Sequence, residues 1–141
     1  MTQDCIFCKI VKGEIPSAKV YETADVLSFL DIGPVNKGHA LIIPKAHFAN
    51  LWEIPPALGQ ELLAAMQAVG KAVMEQTGAA GLNVNMNNFE AAGQLVPHAH
   101  FHLIPRFAGD GFKLWPPGKY KDMDEMAALA KAVRAKTQLR D

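Results

Sequence analysis

The sequence has few of the features that direct a protein to a membrane, a nucleic acid or the cell exterior. No apolar run approaches the about 20 residues that span a bilayer, and the start of the chain lacks the apolar segment of a signal peptide. Lysine plus arginine and aspartate plus glutamate number 14 each, so no net charge attracts a polyanion. We therefore expect a soluble, cytoplasmic protein that binds a small ligand and neither a membrane nor a nucleic acid.

Cysteine is scarce, which excludes a framework of disulfides. The two cysteines, Cys5 and Cys8, form a Cys-x-x-Cys pair. In a reducing compartment this spacing indicates a metal site or a redox motif rather than a structural disulfide. Zinc prefers about four cysteine or histidine ligands, and because no third cysteine exists, the other ligands would be histidines. The alternative is that both cysteines are small buried apolar residues.

The pattern of apolar residues predicts one α+β domain over residues 1–141. Period-two segments predict five strands, and residues at helical spacing predict two helices. The strands are "KVYE", "VLSFLDI", "GHALIIPK", "LNVNMNN" and "VPHAHFHLIPR", and the helices cover residues 55–77 and about 122–138. The first two strands and the last two strands are each expected to pair. This order favours an antiparallel sheet with the helices packed on part of it.

Three of the five histidines alternate in "VPHAHFHLIPR". On a strand, His98, His100 and His102 would share one face, with neighbours about 6.6 Å and the outer pair about 13 Å apart along the backbone. Because a zinc–nitrogen bond is only about 2.1 Å, two of them could share a metal but all three could not. The row is therefore a metal site in part, a catalytic row, or a set of polar residues facing water.

Polar groups that precede this row suit an anionic ligand. Asn87, Gly93 and Gln94 supply amide and backbone donors, although an ordinary polar turn has the same composition. No serine lies near the row and both cysteines are remote in sequence. A neutral imidazole, with an ordinary pKa of about 6.5, attacks phosphorus readily, so a histidine is the candidate nucleophile.

The segments "GQLVPHAHFHLIPR", "DIGPVNKGHALIIPKAH" and "CIFCKIVKGEIPSAKVYE" together resemble the histidine triad (HIT) superfamily of nucleotide-binding hydrolases and transferases. The resemblance runs from Cys5 to about Gly118, the expected core of a single HIT domain. It implies a HIT-like antiparallel five-stranded sheet with two helices, which dimerises into a continuous larger sheet.

The resemblance also implies a role for each site residue. His100 would attack the α-phosphorus of a nucleotide and form a nucleotidyl-histidine, His102 would donate to the phosphate, and His39 matches a fourth active-site histidine. Asp31 would accept hydrogen bonds from the ribose. The base would contact Phe7, Ile10, Phe29, Ile32 and Leu41, and the phosphate would contact Asn87 and Gln94. Core packing is the alternative for each apolar residue.

Many bacterial members of this superfamily hold a structural zinc, and the resemblance assigns its ligands here to Cys5, Cys8, His47 and His98. No organic cofactor is implied. In contrast, animal phosphoramidases of the superfamily carry a serine directly after Gly-Gln, where this chain has Leu95. The preferred leaving group is therefore not implied by the resemblance.

The expected function is that of a purine nucleoside phosphoramidase. The alternatives are a dinucleoside polyphosphate hydrolase, a non-catalytic nucleotide-binding regulatory module, and a hydrolase that uses the histidine row to bind catalytic zinc.

A homodimer is also expected, because the apolar residues of the first predicted helix cover more than one face. They are Leu62, Leu63, Met66, Val69, Val73 and Met74. The resemblance places "FKLWPPGKY", with Trp115, near the partner's pocket, whereas Trp115 could instead cover its own core.

Overall fold

A computed structural model of the chain describes residues 4–137. Five strands form one antiparallel sheet in the order β1-β2-β3-β5-β4, which confirms the predicted α+β class and both predicted strand pairs. The elements are α1 (Ile6–Val11), β1 (Lys19–Glu22), β2 (Val26–Leu30), β3 (Ala40–Pro44), α2 (Gly59–Thr77), β4 (Gly81–Asn85), β5 (Phe101–Arg106) and α3 (Met123–Thr137). Within the described residues, no helix combines the length and apolarity needed to cross a membrane.

The chain divides after Asp110 into two compact units. The first contains the sheet, α1 and α2, and the second contains α3. As predicted, α3 opens at Asp122, whose side chain accepts a hydrogen bond from the Glu125 N–H at 2.8 Å. The predicted end of this helix, residue 138, lies outside the described residues. The packing of α3 and the role of Trp115 remain predictions.

The two central strands β2 and β3 are buried on both faces, which explains their continuous apolar sequences. On one face, α2 covers Val26, Ile42 and Leu103. On the other face, the short helix α1 packs Phe7 and Ile10 against further strand residues, which are Leu27, Phe29, Leu41 and Ile43. The α2 face is thus closed by a long helix, whereas six residues of α1 cover only part of the opposite face.

Two helical features differ from the sequence prediction. Helix α1 was not predicted; it begins after Cys5, whose Sγ accepts a hydrogen bond from the Cys8 N–H at 3.3 Å. Residues Pro56–Leu58 form a separate 3-10 turn, so α2 begins at Gly59 rather than at residue 55. The predicted end is confirmed, because Gly78 terminates α2 in a left-handed conformation with φ of 73°.

The prediction that all three alternate histidines share one strand is wrong. Strand β5 begins at Phe101, so only His102 lies on it, while His98 and His100 precede it. The backbone turns there, because the His98 N–H donates to the Val96 carbonyl at 2.8 Å. The Ala99 N–H donates to the carbonyl of Phe48, which is not in a strand. The regular spacing expected of a strand therefore does not apply to this row, and His98 points to different neighbours from His100.

Candidate functional site

A cavity of about 880 Å³ lies in the first unit, on the face of the sheet that α1 covers. It brings together all the predicted catalytic and substrate-binding residues except His39 and Gln94. They are Phe7, Ile10, Phe29, Asp31, Ile32, Leu41, Asn87, His100 and His102. Most of the lining side chains are apolar, and the polar groups include two histidines, the Asn87 amide and the backbone of Gly93. The cavity therefore suits a ligand that carries both an apolar ring and an anionic group.

His100 is a buried imidazole whose hydrogen bond leaves one nitrogen free to attack. Its Nδ1 lies 2.7 Å from the carbonyl oxygen of His98. Because a carbonyl only accepts, Nδ1 carries the hydrogen and Nε2 keeps its lone pair. Burial lowers the pKa of His100, so the ring is neutral near pH 7. The Phe7 ring packs against it edge-on, with centroids 5.1 Å apart, and holds its orientation.

His39 lies behind His102 and determines which of its nitrogens carries the hydrogen. The Val35 N–H donates to His39 Nδ1 at 3.1 Å, so the hydrogen of neutral His39 is on Nε2. This Nε2 lies 2.9 Å from His102 Nδ1 and donates to it. The remaining His102 nitrogen, Nε2, therefore carries a hydrogen that a ligand in the cavity can accept. Burial, followed by the neighbouring His100 and His39, lowers the pKa of His102 to about 4, so this donor is neutral.

Asp31 completes this group, which we call the aspartate–histidine cluster (Asp31, His39 and His102). One carboxylate oxygen accepts a hydrogen bond from the Gly33 N–H at 2.9 Å, and the other lies 3.6 Å from His39 Nε2. A carboxylate accepts several hydrogen bonds at once. Since Asp31 also lines the cavity, it can accept hydrogen bonds from hydroxyl groups of a ligand.

Cys5, Cys8, His47 and His98 form a second group, the cysteine–histidine cluster, in which all ligand atoms lie within 4.8 Å of one another. His98 is fully buried and donates from Nε2 to the Pro44 carbonyl at 2.8 Å. Its Nδ1 therefore keeps a lone pair, which faces Cys5 Sγ at 3.3 Å and His47 Nδ1 at 3.2 Å.

The donors of this cluster fit zinc, which binds two cysteines and two histidines in closed tetrahedral sites. Burial and the adjacent Cys5 thiol raise the pKa of Cys8 to about 11, so the thiol stays protonated unless a cation stabilises the thiolate. Two imidazole nitrogens and two sulfurs converge here, so the cluster is a possible metal site.

The Gln94 side chain is hydrogen-bonded to the main chain on both sides of its loop. Its Oε1 accepts from the Phe89 N–H at 2.8 Å, and its Nε2 donates to the carbonyls of Ala49 at 2.7 Å and Val96 at 3.0 Å. These bonds engage the amide with the backbone, and Gln94 does not line the cavity. The amide thus connects the loop to the segment after His47, and the contact between Gln94 and a phosphate stays a prediction.

The sequence interpretation also missed groups whose function comes from the main chain. Main-chain groups determine which nitrogen carries the hydrogen in three histidine rings. His39 is bonded to the Val35 N–H, His98 to the Pro44 carbonyl and His100 to the His98 carbonyl. Every residue except proline has the same main-chain donor and acceptor, so the sequence does not show which of them will bond to a histidine. Only the fold identifies these partners. Ile6 and Val96 also line the cavity, although they were not predicted. The one sequence signal for Ile6 is its position inside the Cys-x-x-Cys pair.

The chain is similar to several known proteins in sequence and in fold. The chain is 49% identical over 102 residues to the adenosine 5'-monophosphoramidase hnt1 of Schizosaccharomyces pombe, covering 72% of this chain and 74% of that protein. A crystal structure of a HIT family member from Bacillus subtilis matches with a TM-score of 0.88 and 40% identity, over 98% of this chain and 99% of the other.

A zinc-bound histidine triad family protein from Mycobacterium smegmatis matches with a TM-score of 0.69 and 36% identity, over 96% of this chain and 99% of the other. The HIT domain itself matches residues 12–109, which include all five strands and the three alternate histidines. The chain therefore belongs to the HIT domain family.

Proposed function

We propose that this protein hydrolyses purine nucleoside phosphoramidates by substitution at the α-phosphorus. The observation that carries the proposal is the hydrogen bond from His100 Nδ1 to the His98 carbonyl at 2.7 Å, which leaves the Nε2 lone pair available in the cavity. The similarity to an adenosine 5'-monophosphoramidase supports a P–N bond as the target and adenosine as the nucleoside.

The cavity can orient such a substrate from end to end. The base lies among apolar side chains that include Phe7 and Ile32, while the ribose hydroxyls donate to Asp31. The phosphate lies at the other end, where Asn87, the Gly93 backbone and His102 Nε2–H face it. These neutral donors are in place before the reaction, so they stabilise charge on the phosphoryl oxygens without reorganisation.

The reaction then proceeds in two balanced steps. The His100 Nε2 lone pair forms a bond to phosphorus and the P–N bond breaks; the leaving nitrogen keeps the bonding electrons and takes one proton from water. Water next attacks the phosphorus of the nucleotidyl-histidine, which releases the nucleoside monophosphate, regenerates the neutral imidazole and returns one proton.

The cysteine–histidine cluster has a structural role in this proposal. Cys5, Cys8, His47 and His98 would supply four protein ligands, and a zinc ion bound by them would cross-link α1 to the segments after β3 and before β5. No position would then remain for a reacting water. The catalytic step depends on His100, which follows His98 by two residues and so benefits from the fixed backbone.

Release of AMP from adenosine 5'-phosphoramidate by the purified protein tests the proposal, with diadenosine tetraphosphate assayed in parallel. The His100→Ala variant should bind AMP but lose turnover, and an acid-free quench of the native protein should trap the nucleotidyl group on His100. Tight AMP binding without turnover of any substrate would instead support a regulatory module. Faster cleavage of diadenosine tetraphosphate would favour the polyphosphate hydrolase.

We also propose that the protein is a homodimer. Strand β4 lies at the edge of the sheet, and Val84 on it and Leu63 on α2 are exposed apolar side chains. A second copy would cover them. Light scattering at micromolar concentration should give about twice the chain mass of 15.3 kDa; a mass near 15.3 kDa would contradict the dimer.

A further inference from the structure

The loop between β2 and β3, residues 31–39, carries the group that fixes the hydrogen of His39. In this loop the Val35 N–H donates to His39 Nδ1 at 3.1 Å. The side chains of Ile32 and Val35 are exposed, so core packing contributes little to the position of this N–H. The main chain of the loop must therefore be held in place by another residue.

Asn36, the next residue along the loop, connects it to the end of β5. The side-chain Nδ2 donates to the Pro105 carbonyl at 2.9 Å and to Asp110 Oδ2 at 3.1 Å. The Asn36 carbonyl accepts from the His39 N–H at 3.0 Å and closes a turn, in which Gly38 supplies the positive φ, 102°, that the turn requires. Asn36 is thus bonded through its side chain to the β5 end and through its backbone to His39.

The Asp110 carboxylate, which accepts one of these bonds, is itself held in a fixed position. Arg106 on β5 donates to both of its oxygens, from Nε at 2.7 Å and from Nη2 at 2.9 Å. Arg106 Nη1 also donates to Asn83 Oδ1 on β4 at 2.8 Å. Only 8% of the Asp110 side chain is exposed. Because a bidentate arginine–carboxylate pair has a restricted geometry, Asp110 offers Asn36 an acceptor that belongs to the sheet rather than to the loop.

An amide is the side chain that suits this position. It faces two acceptors, the Pro105 carbonyl and the Asp110 carboxylate, and its NH2 group supplies one hydrogen for each of them. An aspartate has the same shape but no such donor, so it would place a charged oxygen against both acceptors. The substitution Asn36→Asp should therefore push the loop away from the end of β5.

We propose that Asn36 is a positioning residue that acts through His39. By holding the loop against the β5 end, it keeps the Val35 N–H on His39 Nδ1, and the His102 Nε2 hydrogen therefore stays available to the ligand. When the Val35 N–H moves away, the His39 hydrogen can transfer to Nδ1. His39 Nε2 then becomes an acceptor, the His102 hydrogen moves to Nδ1, and the His102 Nε2 lone pair faces an anionic ligand instead.

Heteronuclear NMR of isotope-labelled histidine tests this directly, because it shows which ring nitrogen carries the hydrogen. In the wild-type protein, His39 and His102 should both carry it on Nε2. Asn36→Asp should add signals from rings that carry it on Nδ1, and Asn36→Ala, which removes the donor without adding charge, should do so to a smaller extent. Circular dichroism checks that each variant folds. Wild-type signals alone in a folded Asn36 variant would overturn the proposal.

Thr23→Val is the matched control for a general loss of stability. Thr23 lies in the turn between β1 and β2, and its Oγ1 donates to Glu61 Oε2 at 2.6 Å. The valine has the same shape but cannot donate this hydrogen bond. The control should leave the hydrogens of His39 and His102 on Nε2, whereas the same change of signals as in Asn36→Asp would overturn the proposal.

Kinetics then test whether Asn36 acts through His39; this part rests on the proposed function. Asn36→Asp should lower kcat about 10-fold, the lower end of the loss expected when a supporting hydrogen bond is removed. In a His39→Ala background, where no ring remains to be positioned, the same substitution should lower kcat less than about two-fold. Equal factors in both backgrounds would show that Asn36 contributes to the fold alone.

Binding of AMP separates this inference from the proposed function. Calorimetry should show about 10-fold weaker AMP binding in Asn36→Asp, the size of a lost hydrogen bond to a charged group. If the wild-type protein releases no AMP from any substrate, the proposed function fails, but the ring hydrogens and the AMP affinity still decide the role of Asn36. An AMP affinity equal to that of the wild type would overturn that role.

Discussion

The two clusters of the site contain similar residues, but the ring hydrogens of their histidines point in different directions. In one cluster the hydrogen points away from the other side chains, and in the other it points towards them. In the cysteine–histidine cluster, His98 donates outward to the Pro44 carbonyl, so its lone pair faces the other ligand atoms. In the aspartate–histidine cluster, His39 Nδ1 accepts a hydrogen bond from the Val35 N–H. The hydrogen of this ring is therefore on Nε2, between His39 and His102. One cluster therefore has room for a cation, whereas a proton already occupies the other.

This difference shows that the main-chain group bonded to a histidine determines which ring nitrogen carries the hydrogen. That nitrogen in turn determines whether the ring faces the cluster with a donor or with a lone pair. Both clusters bring three or four potential ligand atoms within 4.8 Å. A metal ion in the aspartate–histidine cluster would have to displace the Nε2 hydrogen of His39, which would move to Nδ1 and break the bond from Val35. We therefore expect zinc in one cluster and a fixed donor in the other.

The largest expected effect is on zinc content. Cys8→Ser should reduce zinc from about one per chain to below about a tenth, because a four-ligand site depends on every ligand. His39→Gln should leave the zinc content unchanged. Elemental analysis of both proteins, purified without added metal, makes the measurement. Loss of zinc in His39→Gln as well would mean that the clusters do not have separate roles.

The next effect is on catalysis and concerns the hydrogen that His39 donates. His39→Ala should lower kcat about 10- to 100-fold, as loss of a supporting hydrogen bond to a site residue typically does. His39→Gln should recover part of this loss, because its amide can donate to His102 Nδ1. Steady-state kinetics measure both variants. Equal kcat values for the two would show that packing, rather than hydrogen donation, is the contribution of His39.

A smaller effect concerns stability at acid pH. The pKa of His102 is lowered from 6.5 to about 4 in the folded protein, so between these values the unfolded chain binds more protons. Stability should therefore fall as the pH decreases from about 6.5 to about 4, and the loss should be complete below the folded pKa.

Denaturant titrations at several pH values, with wild-type protein and His102→Gln, isolate this contribution. The variant should lose less stability over the same pH interval, because one titrating group is absent. His39 contributes in the same direction, since burial lowers its pKa as well. Parallel curves for the two proteins would contradict the assignment.

The smallest effect is expected in the loop between β4 and β5. Phe89 has φ of 71°, and it is the one non-glycine residue with positive φ in the described part of the chain. Its ring stacks on exposed Trp52, with centroids 5.5 Å apart. Phe89→Ala removes the stack and keeps the strain, whereas Phe89→Gly also relieves the strain. The glycine variant should be the more stable of the two by about 1 kcal/mol in denaturant titrations.

The sheet and the long helix could be predicted because their signals are local. Period-two segments locate all five strands, and Gly78 and Asp122 mark a helix end and a helix start. Helix α1 could not be predicted because six residues are too few for a helical period, and burial of Phe7 and Ile10 stabilises it instead. The start of β5 was misplaced because the Ala99 N–H bonds to the Phe48 carbonyl, which is remote in sequence.

The sequence by itself, through its resemblance to one family, indicated the two cysteines, five histidines and one aspartate that the structure brings to the two clusters and the cavity, but not the lining residues Ile6 and Val96. Only the tertiary structure decided which nitrogen of each histidine carries a hydrogen and that Gln94 bonds to the backbone. The physical reason is that these properties depend on main-chain donors and acceptors from distant segments. Every residue except proline supplies the same such groups, so residue identity alone does not reveal them.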